Sequence, residues 1–223
     1  KTSQATVELK YFDIAGLGEP IRYALAIASV EFSDVRYTSR DDFLADKPKL
    51  RFGQVPVLKV GNTELVQSAA ILRFIGRHYD ASLYPSDAAK AAQVDALLDQ
   101  VKDMRVGLDV AKYKMRFGFP ESVLHEGNAQ AVIDTWRTST LPRHLEFFEA
   151  AIARSPTGFL AGTSTPTIAD IFLATTLHAL LSMNPPPAPF SVRLMDLVRG
   201  VYEHPRVASF RKCEESRRIL QRP

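Results

Sequence analysis

The chain is poor in cysteine, and Cys213 is its single thiol among 223 residues. One thiol excludes an intramolecular disulfide, a CxxC redox pair and a zinc ribbon. Runs of five basic residues are also missing, and the formal net charge is only +3. The sequence therefore predicts no nucleic-acid partner, and the lone thiol fits a reducing compartment.

Long hydrophobic runs are absent as well. The most apolar stretch, residues 167–183, contains Asp170 and His178 and is too short and too polar to cross a bilayer. The first residues show no basic segment followed by an apolar one, so no signal peptide is recognised. We expect a cytoplasmic protein without a membrane partner.

The composition that remains is that of a globular protein. Hydrophobic residues make up 46% of the chain and charged residues 24%, which excludes the disordered, collagen-like and coiled-coil classes. The first third alternates between the periods of strands and helices. Its predicted elements are a strand at 6–12, a helix at 20–30, a strand at 35–37, a short helix, two strands at 57–66 and a helix at 68–79.

A break follows this first third. Residues 81–87 are rich in turn formers and contain Pro85. Beyond them the sequence has only helical period, which predicts helices at 88–117, 122–154, 167–182, 192–202 and 207–220. The fold class is therefore α/β plus all-α, with an α/β domain at 1–80, a linker at 81–87 and an all-helical domain at 88–223.

Several familiar motifs are incomplete. Gly16 and Gly18 follow a predicted strand, but Ile21 stands where a dinucleotide-binding fingerprint needs its third glycine. The five histidines lack the spacing of a zinc helix. We expect neither a nucleotide site nor a metal site.

Tyr11 lies at the end of the first predicted strand, just before the Gly16–Gly18 turn. Ligands of open α/β sheets bind at the carboxyl ends of strands, so a tyrosine there is a candidate functional hydroxyl. The alternative is an aromatic side chain that only packs beside Phe12.

Two further segments suggest a ligand site. Pro56, in Gln54-Val55-Pro56-Val57, enters a strand without an N–H, which suits a site where neighbouring backbone groups bind the peptide groups of a ligand. Ser68 begins a helix after Gln67; we expect it to be the N-cap, at a helix N-terminus that can bind an anion.

Three acids recur on one helix face at Asp95, Asp99 and Asp103. Like charges four residues apart disfavour a helix slightly. We expect Asp95 and Asp99 to lie on a solvated face, and the row is understandable if one member meets a cation from a ligand or another subunit.

Together these features resemble a cytosolic glutathione transferase of the Tyr type, similar to the sigma class and with pi-class similarities. The resemblance runs over nearly the whole chain. Its segments are LKYFDIAGLGEPIRYALA, FGQVPVL, LVQSAAILRFIGRHY, VDALLDQVKDMR and FLAGTSTPTIADIFLA, the last with Thr167 and Asp170 as a helix-capping pair. The resemblance implies a thioredoxin-like first domain, a helical second domain and a homodimer.

The resemblance also implies a function in detoxification, in which the enzyme joins the glutathione thiolate to an apolar electrophile. Glutathione is then a substrate, and no tightly bound cofactor and no metal are required. Tyr11 matches the catalytic tyrosine, whose hydroxyl donates a hydrogen bond to the thiolate. The implied glutathione-binding residues are Tyr11, Phe43, Lys47, Gln54, Val55, Pro56, Gln67, Ser68 and, from the other subunit, Asp103.

Each of these positions has an implied role. The Val55 backbone pairs with the cysteinyl unit, and Gln67 and Ser68 hold the γ-glutamyl carboxylate. Lys47 and Gln54 contact the glycine end. Asp103 reaches the γ-glutamyl amine across the dimer interface.

The sequence departs from the family pattern at two positions. Phe43 stands where relatives carry Trp, and Leu17 where they often carry Arg, so an indole donor and a positive charge are missing. The candidate residues of the hydrophobic-substrate pocket are Ile14, Leu17, Val106, Val110 and Tyr113, with a place in the core as their alternative. Glu19 and Arg22 are assigned to a structural ion pair.

Two other functions remain candidates. A glutathione-dependent isomerase of lipid-derived substrates would need the same Tyr11 and differ only in pocket shape. A non-catalytic binding or structural protein on the same fold would not need Tyr11, Val55-Pro56 and Gln67-Ser68 together. A glutaredoxin-like role is disfavoured, because the first domain contains no cysteine.

Overall fold

A computed structural model describes the backbone of residues 5–220 and side chains as far as residue 215. Its first part has the predicted order of strands and helices. The elements are β1 (Val7–Phe12), α1 (Glu19–Ile27), β2 (Ser33–Tyr37), α2 (Arg40–Asp46), a 3₁₀ turn (Lys47–Lys49), β3 (Val57–Val60), β4 (Thr63–Val66) and α3 (Ser68–His78). The thioredoxin-like expectation for this part is confirmed.

The four strands form one mixed sheet in the order β2-β1-β3-β4. β1 is parallel to β2 and antiparallel to β3, and β3 is antiparallel to β4. Alternate residues of β1 point into the core, so Val7, Leu9 and Tyr11 are buried. Tyr11 is therefore the last inward-facing residue of a strand with neighbours on both sides.

The second part of the chain is helical, as predicted. Its elements are α4 (Ala88–Lys112), a 3₁₀ turn (Lys114–Phe117), α5 (Glu126–Thr135), a π-helical turn (Trp136–Thr140), α6 (Leu141–Arg154), α7 (Ile168–Leu181), α8 (Val192–Tyr202) and α9 (Pro205–Leu220). α7 packs against α1 as well as against α4 and α8, and so joins the helical part to the sheet-bearing part. Among the described residues, no helix has both the length and the apolar character needed to cross a bilayer.

The helix predicted at 122–154 is wrong in its start and its continuity. It begins only at Glu126, after His125 as N-cap, and widens into the π turn before α6. Pro142 near the start of α6 has no N–H to donate to the preceding turn, which explains why a regular α-helix does not run through. Trp136 lies in the widened turn, and its indole N–H donates to the Met104 carbonyl at 2.6 Å.

The predicted capping pair at the start of α7 is confirmed. The buried Asp170 carboxylate accepts hydrogen bonds from the Thr167 N–H at 2.8 Å and the Thr167 hydroxyl at 2.7 Å. It also accepts from the Leu160 N–H at 2.7 Å, which ties the preceding loop to the helix. α7 therefore begins at a fixed point inside the core.

Candidate active site

Tyr11 has a defined hydrogen bond at the end of β1. Its hydroxyl oxygen accepts from the Leu17 N–H at 2.9 Å, and its side chain is only 7% exposed. Burial raises the pKa of Tyr11 above its usual 10.0, and the bond from Leu17 opposes this in part. A phenol that accepts one bond and keeps its proton has that proton left to donate to a ligand.

Two glycines allow the loop after β1 to close over this ring. A Cβ added to Gly16 would lie 2.5 Å from the Tyr11 hydroxyl, and one added to Gly18 would lie 2.5 Å from Tyr11 Cδ1. Gly16 also has φ of +42°, which L side chains rarely adopt. The glycines that do not complete a nucleotide motif thus make room for Tyr11.

Arg22 in α1 holds the same loop from behind. Its side chain is 1% exposed, and its guanidinium donates to the carbonyls of Phe12 at 3.3 Å and Ile14 at 3.0 Å. It also pairs with Glu19 at 3.1 Å and Asp34 at 2.9 Å, so the expected structural ion pair is present. The contacts to Phe12, Ile14 and Glu19 hold both ends of the turn that follows Tyr11, and the contact to Asp34 ties it to β2.

A cleft beside this loop brings together most of the predicted ligand residues. It is lined by Leu17, Phe52, Gln54, Val55, Pro56, Val66, Gln67, Ser68 and Arg116. The Val55–Pro56 peptide bond is cis. Residues far apart in sequence thus share one cleft that begins at the Tyr11 loop.

Four predicted ligand residues do not line this cleft: Tyr11, whose hydroxyl is bonded to the N–H of the lining residue Leu17, Asp103 on α4, Lys47 and Phe43. Lys47 lies beside Gly53, where an added Cβ would be 3.4 Å from Lys47 Cε, next to the lining residue Gln54. Phe43 is half-buried, and its ring centroid lies 4.9 Å from that of Phe12 and 5.7 Å from that of Tyr37. Phe43 therefore supports the strand end by packing.

The prediction that Ser68 is an N-cap is wrong. The cap position belongs to Gln67, whose φ of +71° is unusual for a residue with a side chain, and Ser68 is the first residue of α3. Among the described residues, the buried Ser68 hydroxyl forms no side-chain hydrogen bond. Such strained conformations cluster at ligand sites, and the free hydroxyl and N–H groups at this terminus suit an anion.

The acid row on α4 is partly explained by a cation of the same chain. Asp95 and Asp99 meet Arg73 of α3 at 2.6 and 3.6 Å. Asp99 is exposed, so the solvated face expected for it is confirmed, whereas Asp95 is half-buried and meets that expectation only in part. Asp103 is exposed and forms none of the ion pairs found among the described residues. Of the three acids, Asp103 alone is left for a group from elsewhere.

The five candidate residues of the hydrophobic pocket are all at least partly exposed. Ile14 is 58% exposed, Val106 52% and Tyr113 47%, whereas Leu17 and Val110 are half-buried. None of the five is a buried core residue, although Leu17 packs against the core. We refer to these five side chains together as the apolar rim.

No sequence motif singles out Arg105. The pKa of Tyr11 is influenced most by burial and next by the hydrogen bond from Leu17. The electrostatic interaction with Tyr113 then raises this pKa, and the one with Arg105 lowers it. Arg105 pairs with Asp109 at 3.0 Å. Both cations missed from sequence, Arg105 and Arg116, come from the helical part, and only the fold brings them near the strand end.

The remaining chemistry is sparse. Within the described part of the chain, no group of three or more His, Cys, Asp or Glu side chains is arranged to hold a metal ion. Cys213 is exposed on α9.

Comparison with protein families matches both parts of the chain. The family model "Glutathione S-transferase, N-terminal domain" matches residues 7–77, and "Glutathione S-transferase, C-terminal domain" matches residues 130–209. "Glutathione S-transferase 1" of Ascaris suum is 34% identical over 90% of this chain and 92% of its own length.

Solved structures give the same result. The "prostaglandin synthase D of Nilaparvata lugens" superposes with a TM-score of 0.79 at 27% identity, covering 98% of each chain. The "monomeric Na-GST-3" of Necator americanus superposes with a TM-score of 0.71 at 27% identity, covering 93% of this chain and 97% of its own.

Proposed function

The chain is an enzyme of the glutathione S-transferase family, and we propose that it conjugates the glutathione thiolate to apolar electrophiles, with Tyr11 as the residue that activates the thiol. One observation carries this proposal above the others. The Tyr11 hydroxyl accepts from the Leu17 N–H at 2.9 Å and so keeps its own proton to donate.

The energy required is within reach of this arrangement. A free thiol has a pKa of roughly 8.5, so only a small fraction is ionised at neutral pH. Lowering that pKa by about two units corresponds to about 2.7 kcal/mol in favour of the thiolate. A hydrogen bond to a charged group contributes about 1.5–3 kcal/mol, and local dipoles add to it. Holding both substrates together then supplies the rest of the rate.

We place glutathione along the cleft, with its cysteinyl unit at Val55 and its γ-glutamyl carboxylate at Gln67 and Ser68. Gln54 and Lys47 then contact the glycine end, while Pro56 shapes the backbone and Phe43 packs behind it. The proposal keeps the division into a glutathione-binding domain at 1–80, a linker at 81–87 and a helical domain at 88–223. The electrophile lies against the apolar rim beside Tyr11.

The proposal includes a homodimer acting in cytoplasmic detoxification, in which Asp103 reaches the γ-glutamyl amine of glutathione bound to a second copy. An exposed acid without an ion pair in its own described chain supports this role. Phe52, 56% exposed beside the cleft, is a candidate apolar contact between subunits. Sedimentation at micromolar concentration should show a dimer; a monomer would remove the shared-site role of Asp103.

The test is an ultraviolet difference titration of the bound glutathione thiolate on the wild type and on Tyr11→Phe. We expect the wild type to ionise the thiol about two pH units below its free value and the variant to lose most of that shift. Tyr79→Phe, a change of an aromatic side chain outside the cleft, is the matched control and should keep the shift. Glutathione that binds without any shift would contradict the proposed activation and favour a binding protein.

A glutathione-dependent isomerase is the second candidate. The superposition on an insect prostaglandin synthase supports it, as does the apolar rim. Conversion of a lipid endoperoxide without net consumption of glutathione would identify an isomerase, whereas loss of free thiol in step with the electrophile would identify a transferase.

A further inference from the structure

Arg116 enters the cleft from the other part of the chain. Every other lining residue belongs to positions 17–68, whereas Arg116 lies in the 3₁₀ turn Lys114–Phe117 that follows α4. It is also the one charged side chain among the residues that line the cleft. The cleft is thus bordered by two parts of the fold and has a positive charge on the helical side.

The turn that carries Arg116 is fixed by its own contacts. The Arg116 N–H donates to the Tyr113 carbonyl at 2.8 Å, and the Phe119 N–H donates to the Lys114 carbonyl at 3.0 Å. Gly118 closes the turn with φ of +80°, and Lys114 forms an ion pair with Glu121. The backbone of Arg116 is therefore held in place by these contacts, while its side chain stays available to bind a ligand.

Nothing among the described residues neutralises this guanidinium. Arg116 forms no ion pair and no side-chain hydrogen bond there, and its nearest aromatic contact is the Phe117 ring at 5.7 Å. Across the cleft stands the N-terminus of α3, an 11-residue helix whose first N–H groups also attract negative charge. The cleft thus has positive groups from two elements and no carboxylate among its lining residues, which suits an anionic ligand.

We propose that Arg116 pairs with the γ-glutamyl carboxylate of glutathione bound in the same protomer. This inference rests on the proposed function, because that function places the carboxylate at Gln67 and Ser68, which line the same cleft as Arg116. A guanidinium can bind a carboxylate through two parallel hydrogen bonds. Leu17, on the loop after β1, borders this cleft too but carries no charge, so the positive charge of the lining comes from Arg116 in the helical part.

The experiment compares two ligands on two proteins. Calorimetry measures the Kd of glutathione and of 4-aminobutanoyl-Cys-Gly, which lacks the γ-glutamyl carboxylate, on the wild type and on Arg116→Gln. We expect Arg116→Gln to bind glutathione about tenfold more weakly, the size of one charge-assisted hydrogen bond, and the truncated peptide as well as the wild type does. The Kd of glutathione on Arg116→Lys should lie between those of the wild type and Arg116→Gln, because lysine keeps the charge but cannot form two parallel hydrogen bonds to a carboxylate.

Arg193→Gln is the matched control, since it removes an exposed charge on α8 away from the cleft. Its Kd values should equal those of the wild type. An equal loss of affinity for both peptides on Arg116→Gln would overturn the inference, because the guanidinium would then contact another group. An unchanged Kd for glutathione, or a raised thiolate pKa with unchanged Kd, would overturn it too. A wild type that binds no glutathione would instead overturn the proposed function itself.

Discussion

The two halves of the proposed site differ in how they are built. The half that faces glutathione has a buried centre, formed by Tyr11, Pro56 and Ser68, with exposed polar side chains such as Gln67 at its edge. The half that faces the second substrate consists of exposed apolar side chains on a loop and on α4, such as Ile14 and Val106. We call the half that faces glutathione the fixed half, because it suits one invariant ligand. We call the half that faces the second substrate the open half, because it suits electrophiles of different shapes.

Filling the space beside Tyr11 should give the largest effect. Gly18→Ala would put a Cβ 2.5 Å from the Tyr11 ring, although the φ of −78° at Gly18 suits alanine. We expect kcat/KM to fall about 100-fold, because a displacement of about 1 Å in a catalytic group can cost that much. Gly158→Ala is the control: it has φ of +83° and open space, so it should lower stability by about 1 kcal/mol and leave activity unchanged. Full activity in Gly18→Ala would mean that the loop or the Tyr11 ring moves to make room for the added methyl group, which would contradict a fixed arrangement in this half.

Removing the acid that we propose another subunit contributes should give the next largest effect. We expect Asp103→Asn to weaken glutathione binding about tenfold, because the γ-glutamyl ammonium loses its charged partner. Asp99→Asn is matched in chemistry and helix face, but Asp99 pairs with Arg73 and Lys102 of its own chain. It should leave the Kd of glutathione unchanged, and equal losses in both variants would mean that only net charge matters.

Placing a larger side chain in the open half should alter selectivity more than rate. We expect Val106→Phe to change the ratio of kcat/KM between a small and a large apolar electrophile by about fivefold, because the rim contacts are partial. The thiolate pKa should stay where it is. Val192→Phe, an equally conservative change at an exposed position on α8, should alter neither quantity. A shift of the thiolate pKa in Val106→Phe would contradict this expectation, because it would mean that the open half also affects ionisation of the thiol.

The smallest effect concerns the alkaline side of the pH profile. The proposed mechanism needs an ionised thiol and a protonated Tyr11, and burial raises the pKa of Tyr11 above its usual 10.0. Loss of the donor proton is therefore moved to higher pH, and kcat/KM should rise with thiol ionisation and then stay level to about pH 10. Rates corrected for the uncatalysed reaction test this, and a decline that begins near pH 8 would contradict it.

The fold was largely predictable from sequence because its signals are local. Strand alternation before Tyr11 and the Thr167–Asp170 capping pair each depend on residues a few positions apart. The π turn before α6 was missed although Pro142 marks it, since the helical period runs on across it. Ser68 was misassigned because its cap role depends on the backbone angle of Gln67, which no propensity of glutamine indicates.

The parts of the site that sequence could not supply come from distant contacts. Arg73 reaches Asp95 from another helix, and Arg116 reaches the cleft from more than 40 residues beyond Ser68. Periodicity gives the face on which a residue lies, but it does not give the charge that meets that face after folding. Charged groups near the reaction centre were therefore missed, while the residues in motifs were found.

Arg22 has a consequence for the history of such a site. Because this one buried side chain grips the carbonyls of Phe12 and Ile14, the shape of the loop is specified by a residue outside it and by backbone atoms that every amino acid possesses. The exposed side chain at Ile14 can then be exchanged over generations without changing the backbone of the loop around Tyr11. On the proposed function, single substitutions there would change which electrophiles are accepted and leave the activation of the thiol intact.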